Sequence, residues 1–240
     1  MSSALLVAAA LDAGTILALA SLGLLINEKA GILNLGAEGM MLCSALAGFA
    51  AVVHTGSSVM GFGAGMLVGA AMAALFGWLV IWLGTNQYAT GLALSLFGAG
   101  LSAFAGTSYV KEKLPEAVQY KIPLLGDLPF VGEAFFSQHP MVYIAMCITA
   151  GMMWFFFKTR SGLVLRSVGE SPQSAHALGY NVRLIRLGAV MAGGALCGLA
   201  GAYVSTVYTP LWVEGMTAGK GWIALALTTF ATWRPIRVLL

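Results

Sequence analysis

Val59–Leu83 is an uninterrupted apolar stretch that contains no charged residue. At 1.5 Å of rise per residue, a helix of this length crosses a hydrocarbon layer of about 30 Å. Over the whole chain, 59% of the 240 residues are hydrophobic and only 9% are charged, whereas a soluble domain carries about 25% charged residues. So few charges cannot cover a soluble protein of this size, and so much apolar surface excludes a disordered chain. The sequence therefore predicts an all-α integral membrane protein.

Six stretches are long and apolar enough to be full spans: Ala4–Ile26, Gly31–Val53, Val59–Leu83, Tyr88–Gly106, Pro140–Phe157 and Leu187–Val207. A seventh, Trp222–Thr232, is too short to cross alone and predicts a half-span or re-entrant helix. We therefore expect one polytopic helical bundle, a single transmembrane domain over residues 1–240. The chain ends in RPIRVLL, which looks like the beginning of another apolar segment. This ending favours a C-terminally truncated chain.

Two polar segments predict the orientation of the bundle. Residues 158–186 contain five Lys and Arg residues and one Glu, whereas residues 107–139 contain three Lys and four acidic residues. Cytoplasmic loops carry the excess of Lys and Arg. Residues 158–186 are therefore predicted to be cytoplasmic and 107–139 to form a large external loop. Alternation from there predicts that the N-terminus lies outside.

The first informative motif, NEKAGILNLGAEGMML, places a carboxylate inside a predicted span. On a helix, Asn34, Glu38 and Met41 share one face, and Asn34 is the natural hydrogen-bond partner of Glu38. A carboxylate in a span costs about 2.5–3.5 kcal/mol on insertion scales, so Glu38 should face protein or water. Two interpretations stay open: a structural group bonded to a neighbouring helix, or a residue on a transport path. Asp12, in the first span, is predicted to be a packing residue or to line water.

The second motif, ESPQSAHALGYNV, lies in the predicted cytoplasmic loop. Ser171 can cap a helix that has Pro172 at its first position, and Gly179 can end that helix. The motif predicts a two-turn amphipathic helix with Ala175 and Leu178 on one side. Such a helix completes no span and fills no core, which favours a docking partner. The alternative is an interfacial helix resting on anionic headgroups.

The third motif, GKGWIALAL, opens the predicted half-span with Gly219 and Gly221. The positive end of this helix would face the outer half of the bilayer, where it favours a polar ligand group. Three aromatic residues are candidates for stacking against a ligand on the path, although such residues are common as interfacial anchors: Tyr88, Trp212 and Trp222.

Together the motifs resemble the permease subunits of ABC importers for nucleosides, simple sugars and branched-chain amino acids, most closely the purine-nucleoside and simple-sugar branch. The resemblance begins at about Leu11 and is carried by NEKAGILNLGAEGMML, by RSVGESPQSAHALGYNV, and by GKGWIALAL followed by TWRP. The family's loop usually reads G-E-N-P-x-A-A, where this chain has Ser171 and Ser174 at two positions. The resemblance implies a permease that alternates between outward- and inward-open states while a separate ATPase supplies the free energy.

The resemblance also implies site residues. The cytoplasmic loop would be a coupling helix seated in a groove of the ATP-binding subunit, with these contact residues: Glu170, Ser171, Pro172, Ala175, Leu178 and Gly179. Three residues would lie along or near the translocation path: Asn34, Glu38 and Asn86. We add the two residues that open the half-span: Gly221 and Trp222.

Partners and cofactors follow from the same resemblance. An extracytoplasmic substrate-binding protein would deliver the solute, and a second permease subunit would complete the pore, with a heterodimer favoured over a homodimer. We expect a multi-pass protein of the bacterial inner membrane, in contact with lipid and without nucleic-acid partners. The chain lacks G-x-x-x-x-G-K-[ST], so ATP is expected on the partner subunit and no cofactor or metal in this chain. The cysteines lack C-x-x-C spacing and are predicted to be packed helix residues: Cys43, Cys147 and Cys197.

Two other function classes are weighed against the importer. An ion- or proton-coupled secondary transporter would use Asp12 and Glu38, but it would not need the predicted helix at Ser171. An intramembrane enzyme is disfavoured because H-E-x-x-H and G-x-S-x-G do not occur. The three histidines, at positions 54, 139 and 176, are moreover predicted on different sides of the membrane.

Overall fold

The computed structural model describes residues 3–115, 137–232 and 234–238. Its helices, in chain order, are α1 (Ser3–Lys29), α2 (Ala37–Thr55), α3 (Ser58–Ile81), α4 (Gln87–Gly106), α5 (Pro140–Lys158), α6 (Arg160–Glu170), α7 (Pro172–Ala177), α8 (Val182–Tyr203), α9 (Lys220–Phe230) and α10 (Pro235–Val238). A 3₁₀ turn, Thr107–Tyr109, follows α4, and a π-helical turn, Val204–Tyr208, follows α8. Among the described residues, the β structure is limited to an isolated bridge between Lys113 and Leu211. The all-α prediction is confirmed.

Within the described part of the chain, six helices, α1 to α5 and α8, are long and apolar enough to cross a membrane. They correspond to the six predicted spans. The predicted half-span is also confirmed, because α9 has only 11 residues. It begins at Lys220, two residues before the predicted start. Most of the predicted external loop, residues 116–136, lies outside the described residues.

The second span differs from the prediction, which treated Gly31–Val53 as continuous. Residues 31–36 are not helical, and α2 begins at Ala37. The reason is a local turn, in which the Asn34 side-chain oxygen accepts the backbone N–H of Gly36 at 2.9 Å. Asn residues favour such turns because their side chains compete with the backbone for hydrogen bonds.

The beginning of α2 lies deep in the bundle. A Cβ built on Gly39, in the first turn of α2, would lie 2.7 Å from the Cα of Ser95, and one built on Gly98 would lie 2.6 Å from the Cα of Gly39. Ser95 and Gly98 are near the middle of α4. The non-helical residues 31–36 therefore cover the first half of the span, and α2 begins level with the middle of α4.

Helix α8 is the centre of the bundle and packs on α1, α2 and α3. Its closest approach is to α3, where Gly65 and Gly69 face Gly194 and Gly198. A Cβ on Gly69 would overlap the carbonyl oxygen of Gly194 and would lie 2.8 Å from the Cα of Gly198. Small residues at a crossing let two membrane helices pack backbone to backbone, where dispersion contacts drive association.

The three cysteines are free, but they differ in burial. Cys43 and Cys197 are buried, as predicted for packed helix residues. Cys147 is exposed on α5, so the prediction is wrong there. The apolar composition of α5 did not distinguish its packed face from its outer face.

Candidate functional site

The predicted coupling segment folds much as its motif indicates. The Ser171 hydroxyl caps α7 by accepting the backbone N–H of Ser174 at 3.4 Å, and Pro172 is the first helical residue. Gly179 follows the helix with a φ of +87°, a conformation in which glycine is the least strained residue. Its N–H donates to the carbonyl oxygen of His176 at 2.9 Å, which closes the helix.

The burial of α7 corrects the predicted amphipathic face. The helix has only six residues, fewer than the two turns predicted. Ala175 is 1% exposed whereas Leu178 is 76% exposed, so the two side chains do not share a side. Ala175 anchors α7 to the protein, and Leu178, which follows the last helical residue, is exposed.

Sequence reasoning missed α6, which it treated as part of a polar loop. The helix begins with a cap in which the Thr159 hydroxyl accepts the N–H of Gly162 at 3.0 Å. Its buried residues are Gly162, Leu165 and Val168, a three-residue spacing that was readable in the sequence. Helix α6 carries α7 and positions it against the rest of the protein.

The end of α6 packs directly on the end of α1. A Cβ on Gly169 would overlap the carbonyl oxygen of Lys29 and would lie 3.2 Å from the backbone nitrogen of Gly31. Only glycine permits this contact. The predicted coupling segment is therefore joined by backbone contact to the start of residues 31–36, which lead into α2.

Glu38 binds the N-terminus of α9. Its Oε1 accepts the hydroxyl of Thr217 at 2.5 Å and the N–H of Gly219 at 2.9 Å, and its Oε2 accepts the N–H of Gly221 at 2.7 Å. These donors lie about 180 residues away in sequence. A carboxylate at a helix N-terminus is favoured by the helix dipole and by the unpaired N–H groups of the first turn.

The approach to α9 is strained, and Glu38 offsets the strain. Ala218 has a φ of +49° and Gly219 a φ of +82°. A non-glycine residue in this region costs about 1–2 kcal/mol. The bent approach directs the N–H of Gly219 at the carboxylate, so the hydrogen bonds of Glu38 maintain a backbone that would otherwise relax.

Asn34 is not the partner of Glu38, and this prediction is wrong. Its amide nitrogen donates to the sulfur of Met40 at 3.5 Å, and its oxygen accepts the backbone N–H of Gly36. The prediction assumed a helix through residue 34, which the turn interrupts. The prediction of a polar ligand group at the start of the half-span also needs revision. In the structure the Glu38 side chain itself binds the N-terminus of α9.

The other predicted path residues lie in different places. Gly221 belongs to the Glu38 contact, because a Cβ there would lie 2.6 Å from the Glu38 backbone nitrogen. Trp222 is 39% exposed beside it. Asn86 caps the N-terminus of α4 by accepting the N–H groups of Tyr88 and Ala89. The first turn of α2, which contains Glu38, lies instead beside the middle of α4. The roles of these residues on the path stay predictions.

The three aromatic residues predicted as candidates for stacking on a ligand lie in different parts of the structure. Trp212 is 1% exposed, and its ring packs where a Cβ on Gly106 would stand. It is therefore a core residue and cannot stack on a solute. Trp222 and Tyr88 are exposed, and Trp222 alone of the two adjoins the Glu38 contact.

Asp12 lies in a second polar cluster, between α1, α5 and α8. Its Oδ1 accepts the hydroxyl of Tyr203 at 3.0 Å, and the Tyr203 ring lies 5.8 Å from the ring of His139. His139 caps α5 through Nδ1, which accepts the N–H of Met141. Burial lowers the pKa of the His139 imidazole, and the Asp12 carboxylate opposes that shift. Asp12 is therefore a packing residue with its own donor.

Replacing Tyr203 with Phe should lower the free energy of unfolding of the purified protein by about 1–3 kcal/mol, because it leaves the partly buried carboxylate of Asp12 without its hydrogen-bond donor. Tyr208→Phe is the matched control, since Tyr208 is exposed. The comparison is made by thermal unfolding in one detergent. Equal stability of the two variants would show that the Tyr203 hydrogen bond contributes nothing.

The described residues contain no group of three or more His, Cys, Asp or Glu side chains that could hold a metal ion. His54 bonds to Tyr109 at 3.0 Å near the end of α2, His139 lies beside Tyr203, and His176 is on α7. The three histidines therefore lie on different elements of the fold.

Comparisons with known proteins agree with these features. The chain matches the family described as branched-chain amino acid transport system / permease component over residues 6–240. A Haloferax volcanii protein provisionally named as a glucose ABC transporter permease is 45% identical over 236 residues, 96% of this chain and 71% of that protein. A nucleoside ABC transporter permease of Lactococcus lactis is 32% identical over 98% of this chain and 78% of that protein.

A guanosine ABC transporter permease of Bacillus subtilis is also 32% identical, over 93% of this chain and 74% of that protein. No solved structure matches the chain significantly. The family is one of transport permeases, each a component of a larger transport system, and the multi-pass membrane prediction agrees with it. The family match and these relatives support the hypothesis of an importer subunit and not that of a secondary transporter. The chain is a member of the branched-chain amino acid transport system permease family.

Proposed function

We propose that this chain imports a nucleoside or a simple sugar as the permease subunit of an ABC transporter, with α7 as its coupling helix. The observation that carries the proposal is the geometry of α6 and α7. The six-residue helix α7 is flanked by two exposed residues, Glu170 before it and Leu178 after it, while Ala175 anchors it to the protein. A helix of this size cannot be stable alone, so its exposed face is built for a partner.

A chain of contacts connects this helix to the deep part of the bundle. Gly169 rests on the end of α1 and on Gly31, and residues 31–36 lead to Glu38, which binds the start of α9. A displacement of α7 would thus act on two helices, α2 and α9, that begin inside the bundle. This supports alternating access driven from the cytoplasmic side.

The substrate class rests on the relatives and on Trp222. The relatives carry glucose, nucleoside and guanosine in their names. An exposed indole beside the Glu38 contact suits stacking on a base or on the apolar face of a sugar. Asn34, Glu38, Asn86 and Gly221 then position the helices along the path.

The remaining components follow from the same proposal. A separate subunit binds ATP, so this chain needs no cofactor of its own. A substrate-binding protein delivers the solute at the outer surface, and a second, different permease subunit completes a heterodimer. The chain lies in the bacterial inner membrane with its N-terminus outside, in accord with the cationic segment 158–186.

The test is a mild-detergent pull-down of the tagged chain from its native membrane, with mass spectrometry of the copurifying proteins. The wild type should recover an ATP-binding subunit. Leu178→Asp, and the joint replacement of Glu170 and Pro172, should weaken recovery more than tenfold, because a central interface residue contributes about 2 kcal/mol or more. Arg160→Gln is the control, since Arg160 is exposed at the far end of α6.

Recovery of the folded chain alone, still carrying solute under a proton gradient, would contradict the proposal. It would favour a secondary transporter in which Asp12 and Glu38 bind the coupling ion.

A further inference from the structure

A cavity of about 950 Å³ lies beside the coupling helix, between α7, the start of α8, the end of α3 and the start of α4. One wall is formed by α7 through Pro172, Gln173 and His176. Whatever docks on α7 therefore also covers or enters this cavity. We call it the basic pocket.

Positive charge converges on the basic pocket. Arg183 and Arg186 are three residues apart in the first turns of α8, so they lie on one face of the helix, and both line the cavity. The N-terminus of α8 adds a positive partial charge at the same place. Among the described lining residues there is no carboxylate.

Arg186 is held in position by the fold. Its Nε donates to the carbonyl oxygen of Ala30 at 3.1 Å. A Cβ on Gly31 would lie 3.1 Å from its Nη2, so glycine leaves room for the guanidinium. A fixed guanidinium loses little side-chain entropy when it binds an anion.

The carboxylate nearest in sequence lies elsewhere. Glu170 lines a separate, smaller cavity of about 240 Å³ with Glu28, Lys29 and Arg166. Glu170 and Arg166 of the loop therefore share that smaller cavity, and the basic pocket has two arginines and no carboxylate among its described lining residues.

We propose that the basic pocket receives a carboxylate side chain of the ATP-binding subunit, as a second contact beside α7. This inference rests on the proposed function. Arg binds carboxylates through two parallel hydrogen bonds, and amide side chains of Gln87, Gln173 and Asn181 line the same cavity. Such amides complete the hydrogen bonds of a protein carboxylate.

An anionic lipid headgroup shares this chemistry, but the pocket favours a protein group. One of its walls is the exposed helix α7, which an acyl chain does not cover. The apolar cavity of about 810 Å³ between α5, α6 and α8 offers lipid a better surface.

The test uses the assembled complex purified from native membranes. Arg183→Glu should weaken the binding of the ATP-binding subunit at least tenfold and should uncouple ATP hydrolysis from transport. Arg160→Glu is the matched control, because it reverses an exposed cation of the same loop outside the basic pocket. Arg183 is exposed at a helix end, so both variants should fold, which size-exclusion chromatography verifies.

A second variant identifies the partner group. Arg183→Lys, treated with a carbodiimide that joins amines to carboxylates without a spacer, should cross-link to one Asp or Glu of the ATP-binding subunit, and peptide mass spectrometry locates that residue. The cross-link supports the inference.

The contrary outcomes are distinct. Equal recovery of the ATP-binding subunit with Arg183→Glu and with the wild type would overturn this inference and leave the proposed function intact. Failure of the wild type to recover that subunit would overturn both. If Arg183→Glu instead loses affinity only for vesicles of phosphatidylglycerol and phosphatidylcholine, the pocket is a lipid site and the inference is wrong.

Discussion

Replacing Glu38 with Ala is expected to abolish transport and to lower the free energy of unfolding by at least about 3 kcal/mol. The substitution leaves three donors without an acceptor: the hydroxyl of Thr217 and the N–H groups of Gly219 and Gly221. Thr217 is fully buried, and each orphaned buried donor costs about 1–3 kcal/mol. Thermal unfolding in detergent measures the stability, and uptake into proteoliposomes containing the whole complex measures transport.

Glu38→Gln should be intermediate, which separates charge from shape. Its one carbonyl oxygen can serve either the Gly219 side or the Gly221 side, and its amide group then faces a donor. Glu214→Gln is the control, because Glu214 is exposed in the segment that leads to α9. If Glu38→Ala unfolds at the same temperature as Glu214→Gln, the α2–α9 contact is not a stabilising one and Glu38 is free to act on the path.

The spans and the short helix α7 could be predicted because their signals are local. Continuous apolar runs of about 20 residues determine the spans, and Ser171, Pro172 and Gly179 determine the ends of α7 through their own backbone preferences. The half-span at Lys220–Phe230 was likewise readable from its length. These features need no knowledge of which helices become neighbours.

The contacts of the candidate site could not be predicted from the sequence, because the residues that touch each other are far apart along the chain. The sequence identifies Glu38 as a carboxylate inside a span that needs a partner, but its donors follow about 180 residues later. Asn34 was the nearest polar residue at helical spacing, and that spacing failed where the chain turned at Gly36. Periodicity identifies a face of a helix and not what packs against it, which is also why the sequence wrongly predicts Ala175 and Leu178 on one side of α7.

The contact between α3 and α8 yields the second large expected effect. Gly69→Val should prevent the bundle from assembling, because its Cβ would meet backbone atoms of α8 at Gly194 and Gly198. Backbone cannot rotate away as a side chain can, so the two helices must separate along their length. Overpacking costs about 1–3 kcal/mol and occasionally more, and this central crossing should be at the upper end.

Gly63→Val is the matched control for Gly69→Val on the same helix. A Cβ on Gly63 has no atom within 4 Å among the described residues, so the same added volume should be tolerated there. The measurement is the fraction of each variant that elutes as a monodisperse peak after extraction in mild detergent. We expect the control to match the wild type and Gly69→Val to be lost from that peak. Equal recovery of both variants would mean that α3 and α8 do not cross at Gly69, and the central position of α8 in the bundle would then be wrong.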